Sequence, residues 1–208
     1  MRLPHHPEIL RDLRAPTADE PWRVLISGCI FGWKVAVDGT TYGLDETRPG
    51  WLDSPLVEMI PFCPEDHRLG TPRAMPDLHG GDGDQVLDGT ARVLDPDGND
   101  LTEALLEGAR AMADLARARR IDFALLTDRS GACGSQVISV GCRLEEPVAY
   151  RKGVGVAAAL LLREGFHVVS QRDFRSLELL RAKVEPGYEP DRSRVDHHHH
   201  PWVLENLS

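Results

Sequence analysis

Three short apolar segments, far apart in the chain, each lead to a cysteine that lies beside glycine or proline. The segments are 23–26, 56–62 and 121–126, and the cysteines that follow them are Cys29, Cys63 and Cys133. Proline cannot donate a hydrogen bond to a sheet and restricts the residue before it, so the second strand should end at Cys63, before Pro64. We therefore predict three strands that each deliver a thiol at or beyond their carboxyl end.

The segments between these strands have helical spacing. Apolar residues recur at helical intervals over 101–116, and the run 156–164 lies between Gly155 and Gly165, a typical residue after a helix end. A short strand over 167–169 and a helix over 174–183 follow. Strands that alternate with helices predict an α/β fold, a single Rossmann-like domain with a mostly parallel sheet.

Three further features complete the predicted organisation. Apolar and polar residues alternate from Val86 to Leu94 around Asp88-Gly89, which predicts a small β-hairpin insertion. Four prolines surround a short helical piece in residues 1–21, which we interpret as an arm packed on the domain 22–183. Proline and charge dominate residues 184–208, which predicts a disordered tail.

Composition limits the possible partners and compartments. The chain has 24 lysines and arginines against 33 acidic residues, a formal net charge of −9, which argues against nonspecific binding to duplex nucleic acid. No apolar run reaches membrane-spanning length, and the amino terminus lacks the apolar core of a secretory signal. We expect a cytoplasmic protein, in which the cysteines stay reduced and serve as ligands, nucleophiles or buried apolar residues.

In parallel α/β sheets, ligands bind beyond the carboxyl ends of the strands, so three thiols at that rim form a candidate metal site. Three thiolates with His67 would form a closed zinc site, and three thiolates alone would hold an iron–sulfur cluster with one open iron. A noncatalytic binding module with buried cysteines is the third reading, and burial is the default for Cys142.

Several motifs, in this order, resemble the family long labelled domain of unknown function 523, which includes bacterial 2-thiouracil desulfidases. The resemblance covers about residues 22–172. The motifs are Ser27-Gly-Cys29 with Gly32, Asp38-Gly39, Cys63-Pro-Glu65, Gly70-Thr-Pro-Arg73, Gly80-Gly-Asp-Gly83, Ser130-Gly-Ala-Cys-Gly134 and the helix led by Gly153.

The resemblance implies a 4Fe–4S cluster on Cys29, Cys63 and Cys133, whose open iron takes the sulfur of a thiocarbonyl substrate. It also implies that Glu65 and Ser130 are the catalytic pair. The family's common Ser-Pro-Ser-Cys is Ser130-Gly-Ala-Cys133 in this chain, so the proline and the second serine are absent.

The residues are consistent with these roles. A carboxylate at position 65 can take a proton from water and later return one, and Ser130 can hold substrate or relay a proton. We assign Ser27, Gly28 and Arg73 as candidates for substrate binding, with Arg73 suited to a carbonyl or phosphate.

We therefore predict an iron–sulfur-dependent desulfidase that converts thiouracil or a small thiouridine derivative to the oxo base and hydrogen sulfide. The acidic charge favours a small thiolated pyrimidine over transfer RNA, and the sequence predicts no oligomeric state.

Overall fold

A four-stranded parallel sheet forms the centre of the protein, in a computed structural model that describes residues 7–140 and 147–207. The strand order is β2-β1-β5-β8. The bounds are Trp22–Ser27 for β1, Val57–Phe62 for β2, Phe123–Leu126 for β5 and Val168–Ser170 for β8. Because the four strands run in parallel, their carboxyl ends share one edge of the sheet.

Apolar side chains cover both faces of this sheet, as expected for a buried parallel sheet. Successive residues of a strand point to opposite faces, so Leu25 and Ala124 enter one hydrophobic cluster while Val24 and Phe123 enter the other. The Phe123 ring meets the Trp22 ring edge to face, with 5.5 Å between centroids. The α/β fold with a mostly parallel sheet is therefore confirmed.

Helices pack on both faces of the sheet. Helix α5 (Thr102–Arg119) and helix α6 (Val156–Arg163) supply one cluster, and helix α1 (Pro7–Asp12) and helix α7 (Phe174–Val184) flank the other. The shorter helices are α2 (Gly28–Phe31), α3 (Pro64–Leu69), α4 (Gly83–Leu87) and α8 (Pro201–Asn206). None of the helices within the described ranges is long and apolar enough to cross a bilayer.

The predicted hairpin over 86–94 is wrong in its position. The Asp82 side chain accepts a hydrogen bond from the Asp84 amide and the Gln85 side chain accepts one from the Asp82 amide, so a capping box starts helix α4 there. The small antiparallel pair is instead formed by β3 (Asp77–His79) and β4 (Arg92–Leu94). A second antiparallel pair joins β6 (Val137–Val140) to β7 (Ala149–Lys152).

The predicted disorder of the tail is also wrong. Residues 184–207 contain a short 3₁₀ helix (His197–His199) followed by α8, and His197, Val203 and Leu207 are buried. Val203 and Leu207 form a small hydrophobic cluster with Val137, so a few apolar anchors order a segment that is otherwise polar. The division of the chain into an arm, a domain and a tail stays a prediction.

Candidate active site

A cavity of about 340 Å³ lies beyond the carboxyl ends of β1, β2 and β5. All eight residues that the sequence nominates line it, although their roles stay predictions. They are Ser27, Gly28, Cys29, Cys63, Glu65, Arg73, Ser130 and Cys133. Cys142 lies outside the described residues.

Each thiol reaches the cavity from the end of a different strand. Cys29 lies in helix α2, directly after β1, and its Sγ is 3.1 Å from Thr127 Oγ1. Cys63 follows β2 and caps helix α3, with its Sγ accepting the Asp66 amide at 3.4 Å. Cys133 is buried in the loop after β5. Their convergence follows from the shared edge of parallel strands.

Gly28 allows the first and second of these segments to approach each other. A Cβ atom at this position would lie 3.0 Å from Trp33 Cε3 and 3.5 Å from Cys63 Cβ. A larger residue would therefore push Trp33 away and crowd Cys63. The role that the structure itself supports for Gly28 is close packing beside the thiols.

The electrostatics of the cavity do not favour free thiolates. Burial raises the pKa of all three cysteines, and Glu65 raises each of them further. The pKa of Cys63 rises to about 12, and Cys63 and Cys29 together raise the pKa of Cys133 well above its ordinary value. A positively charged centre that takes thiols as ligands favours the loss of their protons, because it stabilises the thiolate form. Soft thiolates fit an iron–sulfur cluster in this respect.

The zinc site with His67 as its fourth ligand is not formed. His67 does not line the cavity, its side chain is exposed, and its ring packs against Phe62 with 5.3 Å between centroids. Within the described ranges, no three His, Cys, Asp or Glu side chains are arranged as a ready site for a metal ion.

A buried ion pair lies beside the thiols. Glu65 is 7% exposed, and its Oε2 accepts a hydrogen bond from Arg73 Nη2 at 2.6 Å. Its other oxygen, Oε1, accepts one from Ser130 Oγ at 3.3 Å. Ser130 Oγ in turn accepts the amides of Ala132 and Cys133 at 3.2 and 3.1 Å, so the same hydroxyl joins the carboxylate to the loop that carries the third thiol.

Ser27 has a supporting position in the cavity wall. It is the last residue of β1, it is 2% exposed, and its Oγ accepts the Thr127 amide at 3.0 Å. A hydrogen bond between the Ser27 and Cys133 side chains also lowers the pKa of the Cys133 thiol, against the larger effect of burial. The hydroxyl therefore connects β1 to the segment after β5.

The sequence interpretation missed two arginines on another side of the cavity. Arg129 and Arg172 line it, and neither forms an ion pair with a carboxylate among the described residues. The Nε atoms of both are buried and have no hydrogen-bond partner there. Burial and the nearby Arg129 lower the pKa of Arg172. Arg172 follows β8, so the rule that finds the cysteines at strand ends would also have found this residue.

Asp128, at the end of β5, was missed as well. This fully buried carboxylate organises the site loop, which we define as residues 127–137. Its Oδ1 accepts hydrogen bonds from four backbone amides, those of Arg129, Ser135, Gln136 and Val137. Its Oδ2 lies 2.5 Å from His197 Nδ1 and 3.3 Å from Ser170 Oγ.

A doubly covered parallel sheet with three thiols and a buried carboxylate–guanidinium pair at one rim defines an α/β protein with a thiol-lined cavity beside a buried ion pair. The sequence model of the 2-thiouracil desulfurase family matches residues 24–173, and the chain belongs to this family. Membership supports a desulfidase function for the protein.

Two known proteins are similar to this chain. The uncharacterized protein YbbK of Bacillus subtilis (strain 168) is 31% identical over 157 residues, which are 74% of this chain and 99% of YbbK. The solved structure of the 4Fe–4S-dependent thiouracil desulfidase TudS superposes with a TM-score of 0.52 at 29% identity. That match covers 72% of this chain and 90% of TudS.

Proposed function

We propose that this protein is a 4Fe–4S-dependent desulfidase that replaces the sulfur of thiouracil or a small thiouridine derivative with oxygen. The observation that carries the proposal is the convergence of three thiols with the Glu65–Arg73 pair in one cavity. The similarity to TudS, which is described as 4Fe–4S-dependent, supports the choice of cofactor. The free thiols that such a cofactor needs suit the reducing cytoplasm, where we propose that the protein works.

Cys29, Cys63 and Cys133 would hold the cluster. With three protein ligands, a 4Fe–4S cluster supplies one iron that is open to sulfur and acts as a soft Lewis acid. The chain's own contribution is then to bind the substrate, to place a water and to move protons. The overall change is balanced without a redox partner, because water and the thiocarbonyl give the carbonyl and hydrogen sulfide.

Glu65 is suited to act as the general base. Arg73 occupies Oε2, whereas Oε1 has only the long bond from Ser130, so Oε1 has room for a proton from water. The carboxylate would take one proton as the water oxygen adds to the ring carbon and give it to the departing sulfur. The proton that remains on the new hydroxyl would follow the same route as the carbonyl forms, so that sulfur leaves as hydrogen sulfide. Arg73 keeps the Glu65 carboxylate oriented throughout the reaction. This supporting role is separate from any contact that Arg73 makes with the substrate.

The part of the cavity wall that contains Arg129 and Arg172 favours an anionic substrate within the proposed class. A volume of about 340 Å³ lies in the range of small-molecule pockets, roughly 300–1,000 Å³. Arg129 and Arg172 offer two positive charges without a carboxylate partner among the described residues. A phosphate would pair with them, so we propose a thiouridine nucleotide ahead of the free base.

Anaerobic purification tests the cofactor. The protein should bind iron and sulfide, absorb visible light and release hydrogen sulfide from a thiolated pyrimidine. Cys63→Ser should lose the iron and all turnover, whereas Cys142→Ser should keep both. A wild-type protein that stays colourless and inactive after anaerobic reconstitution with iron and sulfide would exclude the proposal.

A comparison of 4-thiouracil, 4-thiouridine and its 5′-monophosphate tests the substrate. We expect the largest kcat/KM for the monophosphate. Arg172→Gln should remove about tenfold of that preference, as expected for a lost charged hydrogen bond. Arg110→Gln, an exposed change on α5, is the matched control. Equal preference in the wild type and in Arg172→Gln would remove this arginine from substrate binding.

A further inference from the structure

The C-terminal segment, residues 196–207, packs directly on the site loop. It lies beyond residues 24–173, the part of the chain that the family model matches. Its residues nevertheless contact the loop that presents Ser130 and Cys133 to the cavity. A part of the chain outside the family match thus contributes to the surroundings of the proposed active site.

The first contact is made by His197 to the carboxylate of Asp128. His197 is 4% exposed, and its Nδ1 lies 2.5 Å from Asp128 Oδ2. The bonds from His197 and from backbone amides lower the pKa of Asp128 against the effect of burial, so the carboxylate is ionised and Nδ1 is the donor. Since Asp128 Oδ1 gathers the amides of the site loop, His197 fixes the group that gives this loop its shape.

Neighbouring residues hold His197 in place. Asp196 accepts the amide and the hydroxyl of Ser176 at 2.8 and 2.7 Å, which ties the segment to the start of α7. The His198 amide donates to Gln136 Oε1 at 2.8 Å, and the His197 amide donates to Asp173 Oδ1 at 3.1 Å. The segment is therefore bonded to the site loop at two residues and to the start of α7 at two more.

The second contact is made by Trp202 to Arg129. The guanidinium carbon of Arg129 lies 4.7 Å from the centroid of the Tyr150 ring and 4.8 Å from that of Trp202. The two rings meet edge to face with 6.0 Å between centroids. Cation–π contacts of this kind hold an arginine in one orientation without neutralising its charge. Trp202 thus keeps Arg129 in the cavity wall and still available to an anion.

We propose that His197 and Trp202 are positioning residues of the active site, His197 acting through Asp128 on the site loop and Trp202 acting through Arg129 on substrate binding. The two effects are separable. Loss of His197 should loosen the loop that carries Ser130 and Cys133 and so lower kcat. Loss of Trp202 should free Arg129 and so raise KM for an anionic substrate. The kinetic part of this inference rests on the proposed function, whereas the loop rigidity does not.

Hydrogen exchange of the full-length protein tests the first effect without any substrate. His197→Ala should speed exchange in peptides that cover 128–137 by about 10- to 100-fold, the range expected for one lost hydrogen bond to a charged group. Peptides from α5 should keep their wild-type rates. His197→Asn, which restores a donor at this position, should recover most of the protection. His199→Ala, an exposed neighbour, is the matched control.

Two results would overturn the role of His197. One is exchange in 128–137 that matches the His199→Ala control. The other is an equal acceleration in α5, because this would make His197 a contributor to global stability alone. Neither result bears on whether the protein is a desulfidase, so the inference and the proposed function fail separately.

Steady-state kinetics with 4-thiouridine 5′-monophosphate tests the second effect. Trp202→Ala should raise KM about five- to tenfold with kcat within twofold of wild type, in keeping with the loss of a partly buried cation–π contact. Trp202→Phe should restore most of the affinity, and Leu204→Ala, an exposed change in α8, should have no effect. A KM for Trp202→Ala equal to that of Leu204→Ala would remove Trp202 from the site.

Discussion

Two buried carboxylates near the cavity, Glu65 and Asp128, have opposite surroundings. Glu65 is held by one arginine and one long hydroxyl bond, and it lines the cavity between them. Asp128 accepts four backbone amides on one oxygen and a histidine and a serine hydroxyl on the other. A carboxylate with remaining acceptor capacity can exchange a proton with water, whereas a saturated one can only hold structure. The comparison therefore distinguishes Glu65, a carboxylate that can take part in proton transfer, from Asp128, a carboxylate that holds the site loop in shape.

The largest expected effect is on catalysis at Glu65. Glu65→Gln keeps the size of the side chain and an acceptor for Arg73 but removes the base, so kcat should fall by about 10²- to 10⁴-fold. Iron content should stay near wild type, whereas thermal unfolding should occur at a lower temperature because Arg73 loses its buried carboxylate partner. Glu107→Gln, at a half-exposed position on α5, is the matched control. Wild-type turnover in Glu65→Gln would end its role as the base.

The next effect is on stability at Asp128. In Asp128→Asn the amide oxygen can still receive the backbone amides, but the new NH₂ group would face the donors of His197 and Ser170. Urea denaturation should show a loss of about 3 kcal/mol in the free energy of unfolding, as for a broken buried pair.

The exposed change Asp114→Asn serves as the control for Asp128→Asn, with an expected loss within about 0.5 kcal/mol. If both variants unfold like the wild type, Asp128 is not the structural counterpart of Glu65.

The smallest effect is the pH dependence of stability between about pH 4 and pH 8, which Asp173 should dominate. Burial and the nearby Asp196 raise the pKa of Asp173 to about 8, above the value of about 3.9 expected in the unfolded chain. The folded state then binds the extra proton, so this contribution is complete below about pH 4 and is lost as the pH rises through 8. Asp128 has the opposite sign, because its lowered pKa removes stability only when the pH falls below about 4.

Urea denaturation at pH 6 and at pH 8 measures how the free energy of unfolding changes with pH. Wild-type protein should be less stable at pH 8, and Asp173→Asn should show a smaller decline between the two values. An unchanged decline in the variant would remove Asp173 as the source of this pH dependence.

Local sequence patterns were sufficient where a feature lies within one short segment. The helix over 102–119 and the strand over 123–126 follow from periodicity and from an apolar run. The alternating pattern gave a wrong prediction for 86–94. The capping box that begins at Asp82 starts a helix there, although the residues that follow alternate as in a strand. The prediction for the tail was also wrong, because a few buried contacts order residues whose average composition is polar.

The sequence alone determined the sheet and the thiol rim. Parallel strands end at one edge, so a cysteine placed after each of three strands must come near the other two, and Glu65 follows Cys63 by two positions. The tertiary structure decided which groups hold that rim in shape. Asp128 and His197 are 69 residues apart, and Arg129 meets Trp202 over a similar distance along the chain. Such contacts form only when whole elements pack together, and no local repeat in the sequence encodes them.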